Sequence, residues 1–179
     1  MGIGITGSQN VVHDVLVRGM GGHALSVYGN KNTVVRSSFE ESLNRGPGIG
    51  YVDLHGNNNL FANNRVHNVR HLGIQKGAQG NVVAGNTLNT DINFHDGDDG
   101  RNLISGNELN TPTDNTFGGF ATGAPNEHRA PGSGNILINN TGSNARASKR
   151  SATFNPRIAY TVQGFEIVHG SNIDTDSLK

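Results

Sequence analysis

The chain has 179 residues, enough for one domain or a single elongated module and too few for two full cores. Glycine (26) and asparagine (25), both poor helix formers, dominate it; only 33% of residues are hydrophobic, which excludes a helical bundle. Cysteine is absent, excluding a disulfide scaffold and a cysteine zinc site. Lys+Arg and Asp+Glu balance at 14 each, so no net charge draws the chain to nucleic acid.

From the N-terminus, a short strand at Ile3-Gly4-Ile5 leads into the segment NVVHDVLV, which starts at Asn10. The same couple recurs as Leu25-Ser26-Val27 with Asn32 (NTVVRSSF), and as Val52-Asp53-Leu54 with Asn59 (NLFANNRV). It recurs again as Leu72-Gly73-Ile74 with Asn81 (NVVAGNTL) and as Ile92-Asn93-Phe94 with Asn102 (NLISGNEL). A sixth segment starts at Asn135 (NILINNTG). The Asn positions are 22, 27, 22, 21 and 33 residues apart, a repeat of 21–22 residues with two insertions, at 42–50 and 111–134.

Within each segment the third residue is apolar (Val12, Val34, Phe61, Val83, Ile104, Leu137). The eighth is apolar in five (Val17, Phe39, Val66, Leu88, Leu109), and the sixth is Asn in the last four (Asn64, Asn86, Asn107, Asn140). This period-two alternation around a turn predicts short strands. Asn suits the turn because it tolerates left-handed backbone and its amide can bond the equivalent Asn one coil away. The expected fold is all-β: a right-handed parallel β-helix of about six coils, roughly 29 Å tall at about 4.8 Å per coil.

Residues 1–144 form this solenoid. Residues 145–179 are expected to hold a basic linker (Arg146, Lys149, Arg150) and capping strands at 158–169 (IAYTVQGFEIVH). No run of about 18 apolar residues exists, so no membrane insertion is expected. Met1–Asn10 lacks the pattern of a secretory signal. The chain starts within a strand without a capping helix, so self-association or a neighbouring domain is expected at that end.

If the triplets turn their apolar residues inward, alternation fixes which neighbours point out. The third coil then presents Tyr51, Asp53 and His55, the fourth His71, Gly73 and Gln75, and the fifth Asp91, Asn93 and His95. The second presents Ala24, Ser26 and Tyr28. Arg70 and Lys76 flank this strip, and Gly73 makes a dip between Asp53 and Asn93. An ordinary solvated face favours Lys, Glu, Ser and Thr; three His, two Asp and a Tyr are groups suited to acid–base work and sugar contacts.

The run His95-Asp96-Gly97-Asp98-Asp99-Gly100 alternates carboxylates with glycine, so Asp96, Asp98 and Asp99 are candidate calcium ligands; an Asp/Gly turn is the plain alternative. His55, His71 and His95 with Asp53 are a second candidate metal set. No phosphate loop, dinucleotide fingerprint or serine nucleophile turn is present.

The repeats resemble the pectin-lyase-like right-handed β-helix superfamily. Tyr51-Val52-Asp53-Leu54-His55, the Asn59 turn and Arg70-His71-Leu72-Gly73-Ile74 are similar to the Asp-Pro-His strand, Asn-rich turn and Arg-His-Gly strand of mannuronan C5-epimerases. The resemblance implies a polysaccharide partner and an extracellular or periplasmic location. It also implies an enzyme that removes the C5 proton of a uronate, giving elimination or epimerisation. In that scheme His55 is the base and Tyr51 or His71 its acid partner, and Asp53 orients a histidine. Arg70, Lys76 or calcium at Asp96/Asp98 neutralises the substrate carboxylate, while Tyr28, Gln75, Asp91, Asn93 and His95 bind sugar. Two other readings stand beside it: an inverting glycoside hydrolase using carboxylates among Asp53, Asp91, Asp96 and Asp99, and a non-catalytic glycan-binding or structural segment of a larger surface or fibre protein.

Overall fold

A computed structural model describes residues 1–112, 118–123 and 127–143. The basic cluster and the 158–169 strands expected of the C-terminal region lie outside the described residues. Eighteen short strands form three six-stranded sheets, every pairing parallel. The first sheet stacks β1 (Ile3–Ile5), β4 (Leu25–Val27), β7 (Val52–Leu54), β10 (Leu72–Ile74), β13 (Ile92–Phe94) and β16 (Phe120–Thr122). The second stacks β2 (Val11–His13), β5 (Thr33–Val35), β8 (Leu60–Ala62), β11 (Val82–Ala84), β14 (Leu103–Ser105) and β17 (Ile136–Ile138). The third stacks β3 (Leu16–Arg18), β6 (Ser38–Glu40), β9 (Arg65–His67), β12 (Thr87–Leu88), β15 (Glu108–Asn110) and β18 (Thr141–Ser143). Each coil takes one strand to each sheet in turn, so the chain is a parallel β-helix of six coils.

The apolar columns seen in the sequence are the columns of the core. Val12, Val34, Phe61, Val83, Ile104 and Leu137 stand in one register line of the second sheet. Val17, Phe39, Val66, Leu88 and Leu109 stand in one line of the third. Both triplet columns of the first sheet face them, and Phe39, Phe61 and Phe94 are wholly buried. Each such large side chain contributes about 1.5–3 kcal/mol by leaving water, so every coil carries its own share of the core. Five triplets are legible in the sequence; the sixth, Phe120–Thr122, lies inside the 111–134 stretch and pairs with Ile92–Phe94.

Asparagine ladders lock the corners. The Oδ1 of each of Asn32, Asn59, Asn81, Asn102 and Asn135 accepts the backbone N–H of the ladder Asn one coil earlier, at 2.8–3.0 Å. A second ladder runs from Ser37 through Asn64, Asn86, Asn107 and Asn140 at 2.8–3.0 Å. The turn itself differs from expectation in one respect. The left-handed residue is not the ladder Asn but its predecessor: Gln9, Lys31, Asn58, Gly80, Arg101 and Gly134 have φ of 56–75°. The second corner repeats this at Asp14, Arg36, Asn63, Gly85, Gly106 and Asn139. The predecessor reverses the chain, and the Asn, back in ordinary backbone, turns its amide along the solenoid axis. Among the described residues no helix is long and apolar enough to cross a membrane.

Candidate functional site

The outward side of the first sheet is walled rather than flat. A cleft of about 280 Å³ is lined by His23, Tyr28, Gly48, Tyr51, Asp53, His55, Gln75, Lys76, His95, Asp96 and His128. Gly48 belongs to the 42–50 insertion and His128 to the 111–134 stretch, so both long loops border the cleft. Register does the assembling: Asp53 stands beside Gly73, and Gly73 beside Asn93, on successive coils.

Asp53 is the polar centre of the floor. Its Oδ1 accepts a 2.6 Å hydrogen bond from Gln75 Nε2, and its Oδ2 lies 3.5 Å from His55 Nε2 and 3.8 Å from His23 Nδ1. Three coils therefore hold one carboxylate. Gly73 leaves the space it occupies, since a Cβ there would overlap Asp53 Oδ1. The hydroxyl of Tyr51 accepts the N–H of Gly48 at 3.2 Å, which keeps its own O–H available as a donor. Tyr28 is 48% exposed at the rim, its ring tilted over His55 with centroids 4.8 Å apart.

Lys76 and Asp96 occupy corresponding corners after Gln75 and His95, with φ of 55° and 57°. This left-handed backbone costs a non-glycine residue roughly 1–2 kcal/mol, and it turns both side chains toward the cleft. Burial, with repulsion from His128 and His71, pushes the His95 pKa down from 6.5 to about 4. His95 is thus a neutral imidazole at neutral pH.

That shift has a sign that can be tested. Between pH 6.5 and about 4 the unfolded chain takes up a proton at His95 that the folded chain refuses. The stability His95 contributes is whole above pH 6.5 and is lost as pH falls toward 4. The C2–H resonance of His95 should titrate with a midpoint near 4, and His95→Asn should flatten the fall in unfolding free energy over that window. A midpoint near 6.5 would mean that the imidazole is freely solvated.

Other sequence candidates lie elsewhere. His71 (2% exposed) and Asp91 (0%) are sealed below the cleft, paired at 2.6 Å, and Asn93 Nδ2 donates to the second Asp91 oxygen at 2.9 Å. Arg70 is not part of the cleft lining; its Nη1 donates to the Arg45 carbonyl at 2.6 Å, bracing the 42–50 loop. The three carboxylates of the Asp/Gly run diverge. Asp96 lines the cleft, and Asp99 faces outward 3.6 Å from Arg129. Asp98 is buried in the first ladder, its Oδ1 accepting from Gly100 N, Asn102 Nδ2 and Asn135 Nδ2 at 2.7–3.0 Å, and burial raises its pKa. No group of three His, Cys, Asp or Glu side chains converges as a metal set among the described residues.

Two histidines of the cleft escape sequence reasoning. His23 precedes the outward alternation counted from Leu25, yet its Nδ1 accepts the Tyr51 N–H at 3.1 Å. His128 sits in a stretch with no strand period, 4.1 Å between ring centroids from His95, and Arg129 anchors its loop by donating to the Gly97 carbonyl at 2.7 Å. The register Leu25↔Val52, which follows from the Asn spacing, was the one signal that could have brought His23 beside Tyr51.

By its fold the chain is a parallel β-helix repeat protein, with an outward cleft dense in titratable groups. No family model, curated protein or solved structure matches it.

Proposed function

We propose that the protein acts on a uronate-containing polysaccharide by abstracting the C5 proton, as a lyase or a C5-epimerase. The observation that carries this reading is the cleft itself. Imidazoles, a phenol, an orientated carboxylate and one lysine line a single walled groove, bordered by both insertions. The chemistry needs a base for a weakly acidic C–H, a donor for the leaving oxygen or the opposite face, and a cation for the substrate carboxylate. His55 takes the C5 proton, with Asp53 orienting its ring. Tyr51 donates its hydroxyl proton, and Lys76 at the exposed lip neutralises the carboxylate. In elimination the C5–H electrons form the C4–C5 double bond, the C4–O bond breaks, and the leaving oxygen takes the Tyr51 proton. In epimerisation C5 is reprotonated from the other side. Tyr28, Gln75 and His95 contact sugar. Calcium enters this scheme only through Asp96, the one carboxylate of the Asp/Gly run on the cleft.

A non-catalytic glycan-binding role is favoured by one feature, the exposed Tyr28 ring at the rim, a ready stacking surface for a sugar face. A hydrolase would have to use Asp53 and Asp96, since Asp91 is sealed and Asp99 faces away from the cleft.

The test is ultraviolet absorbance of unsaturated uronate ends on alginate, pectate and glycosaminoglycans, with and without calcium, beside His55→Ala. Proton NMR of the same digests reports epimerisation. Signal that requires His55 is the expected result. Reducing ends without unsaturation would replace this reading with hydrolysis, and binding without any product would replace it with the glycan-binding role.

A further inference from the structure

We infer that the buried Asp91–His71 pair is a positioning device for the cleft, fixing the rings of Tyr51 and His95 that face the substrate; this rests on the proposed reading of the cleft. Neither residue lines the groove, and both are closed off from solvent. Asp91 Oδ1 meets His71 Nδ1 at 2.6 Å, and its Oδ2 accepts from Asn93 Nδ2 at 2.9 Å. The Thr90 hydroxyl approaches the first oxygen at 3.4 Å. A carboxylate that accepts on both oxygens leaves the proton on His71 Nδ1, which sets the tautomer and the ring angle.

The coil does not need this pair. The same outward position is Ala24 in the second coil and Gly119 in the sixth, as the backbone bonds Ala24 N to Tyr51 O, Leu72 N to Asp91 O and Ile92 N to Gly119 O establish. A buried ion pair adds little net stability over apolar residues of similar volume, so its presence in the fourth and fifth coils calls for another cause. That cause lies in the rings packed on it. His71 tilts against Tyr51 with centroids 5.1 Å apart and stands 6.2 Å from His95. On its other side Tyr51 meets His23 at 5.1 Å. Tyr51 is therefore wedged between two imidazoles, and the one held by Asp91 is its back wall. An imidazole released from Asp91 can rotate, and the phenol and His95 move with it. Misplacement of reacting groups by about 1 Å costs on the order of 10²-fold in rate.

The decisive experiment is a long-range proton–nitrogen NMR spectrum of the full chain, compared with Asp91→Asn. In the wild type His71 Nδ1 should carry its proton across the accessible pH range. In Asp91→Asn that signature should disappear, the Tyr51 and His95 ring resonances should shift, and kcat should fall about 10²-fold with KM nearly unchanged. A wild-type His71 with an unprotonated Nδ1, or unmoved Tyr51 and His95 resonances in a folded variant, overturns the inference. If Asp91→Asn does not fold, Asn93→Ala, which removes only one donor to Asp91, supplies the same comparison of ring resonances. Should the wild type turn over no glycan, the proposed reaction falls while the resonances still decide whether the pair positions the rings.

Discussion

Gly73→Ala is expected to lower turnover of a uronate glycan by about 10²-fold or more while leaving the β-helix folded. Gly73 is in ordinary backbone, absent from the residues with positive φ, so alanine meets no conformational penalty there. What it meets is the carboxylate: an added Cβ would overlap Asp53 Oδ1 and stand 3.3 Å from Gln75 Nε2. The chain on either side is the middle of β10, paired to both neighbours, and the core residues Leu72 and Ile74 hold it from within. The side chain that gives way is therefore Asp53. Moving it breaks the 2.6 Å bond from Gln75 and alters its approach to His55 and His23. Overpacking of this kind costs about 1–3 kcal/mol in stability, a modest part of a domain's total, so activity and folding separate cleanly. Gly21→Ala is the control, since an added Cβ at Gly21 has no heavy atom within 4 Å. Kinetics and urea unfolding on the three proteins check the expectation. A Gly73→Ala enzyme within twofold of wild type would show that the Asp53 position is irrelevant and remove it from the site.

The repeat was readable because its period is a hydrogen-bond requirement. An Asn amide that must meet the N–H of the next coil forces 21–22 residues between rungs, and insertions merely add to that number. The strips of Tyr51, His71 and Asp91, and of His55, Gln75 and His95, were readable for the same reason, since register follows from the ladder. What alternation cannot report is what lies on top of an outward residue. Asp91 and His71 point away from the core, yet they are as buried as Phe94, because the neighbouring coils and the loops close over them. Phe120–Thr122 was missed because its spacing is broken: the first three triplets begin seven residues before their ladder Asn (3 and 10, 25 and 32, 52 and 59), whereas 120 and 135 differ by fifteen. His128 comes from that same irregular stretch. The residues hidden from sequence reasoning are thus those placed by loops, and loops are where the cleft gets its walls.

The ladder predicts the largest loss of stability. Asn81 is wholly buried at the centre of the solenoid. Its Oδ1 accepts from Asn59 N at 2.9 Å and Asn59 Nδ2 at 3.1 Å, and its Nδ2 donates to the Gly56 carbonyl at 3.0 Å and Asn102 Oδ1 at 3.1 Å. Alanine there leaves the Asn59 N–H and the Gly56 carbonyl without that partner, away from water. Each such group costs about 1–3 kcal/mol, so Asn81→Ala should lose about 2–6 kcal/mol. Asn10 carries the same residue type at the outermost rung. It is exposed, and its side chain donates only to Asn32 Oδ1 at 3.0 Å, a bond that the Asn10 backbone N–H duplicates at 2.8 Å. Asn10→Ala should therefore lose about 1 kcal/mol or less. Equal losses in urea unfolding would mean that Asn acts through its local turn preference, which is the same at both rungs. A large central loss beside a small terminal one identifies the inter-coil bond as the cause, because only the central rung is bonded on both sides.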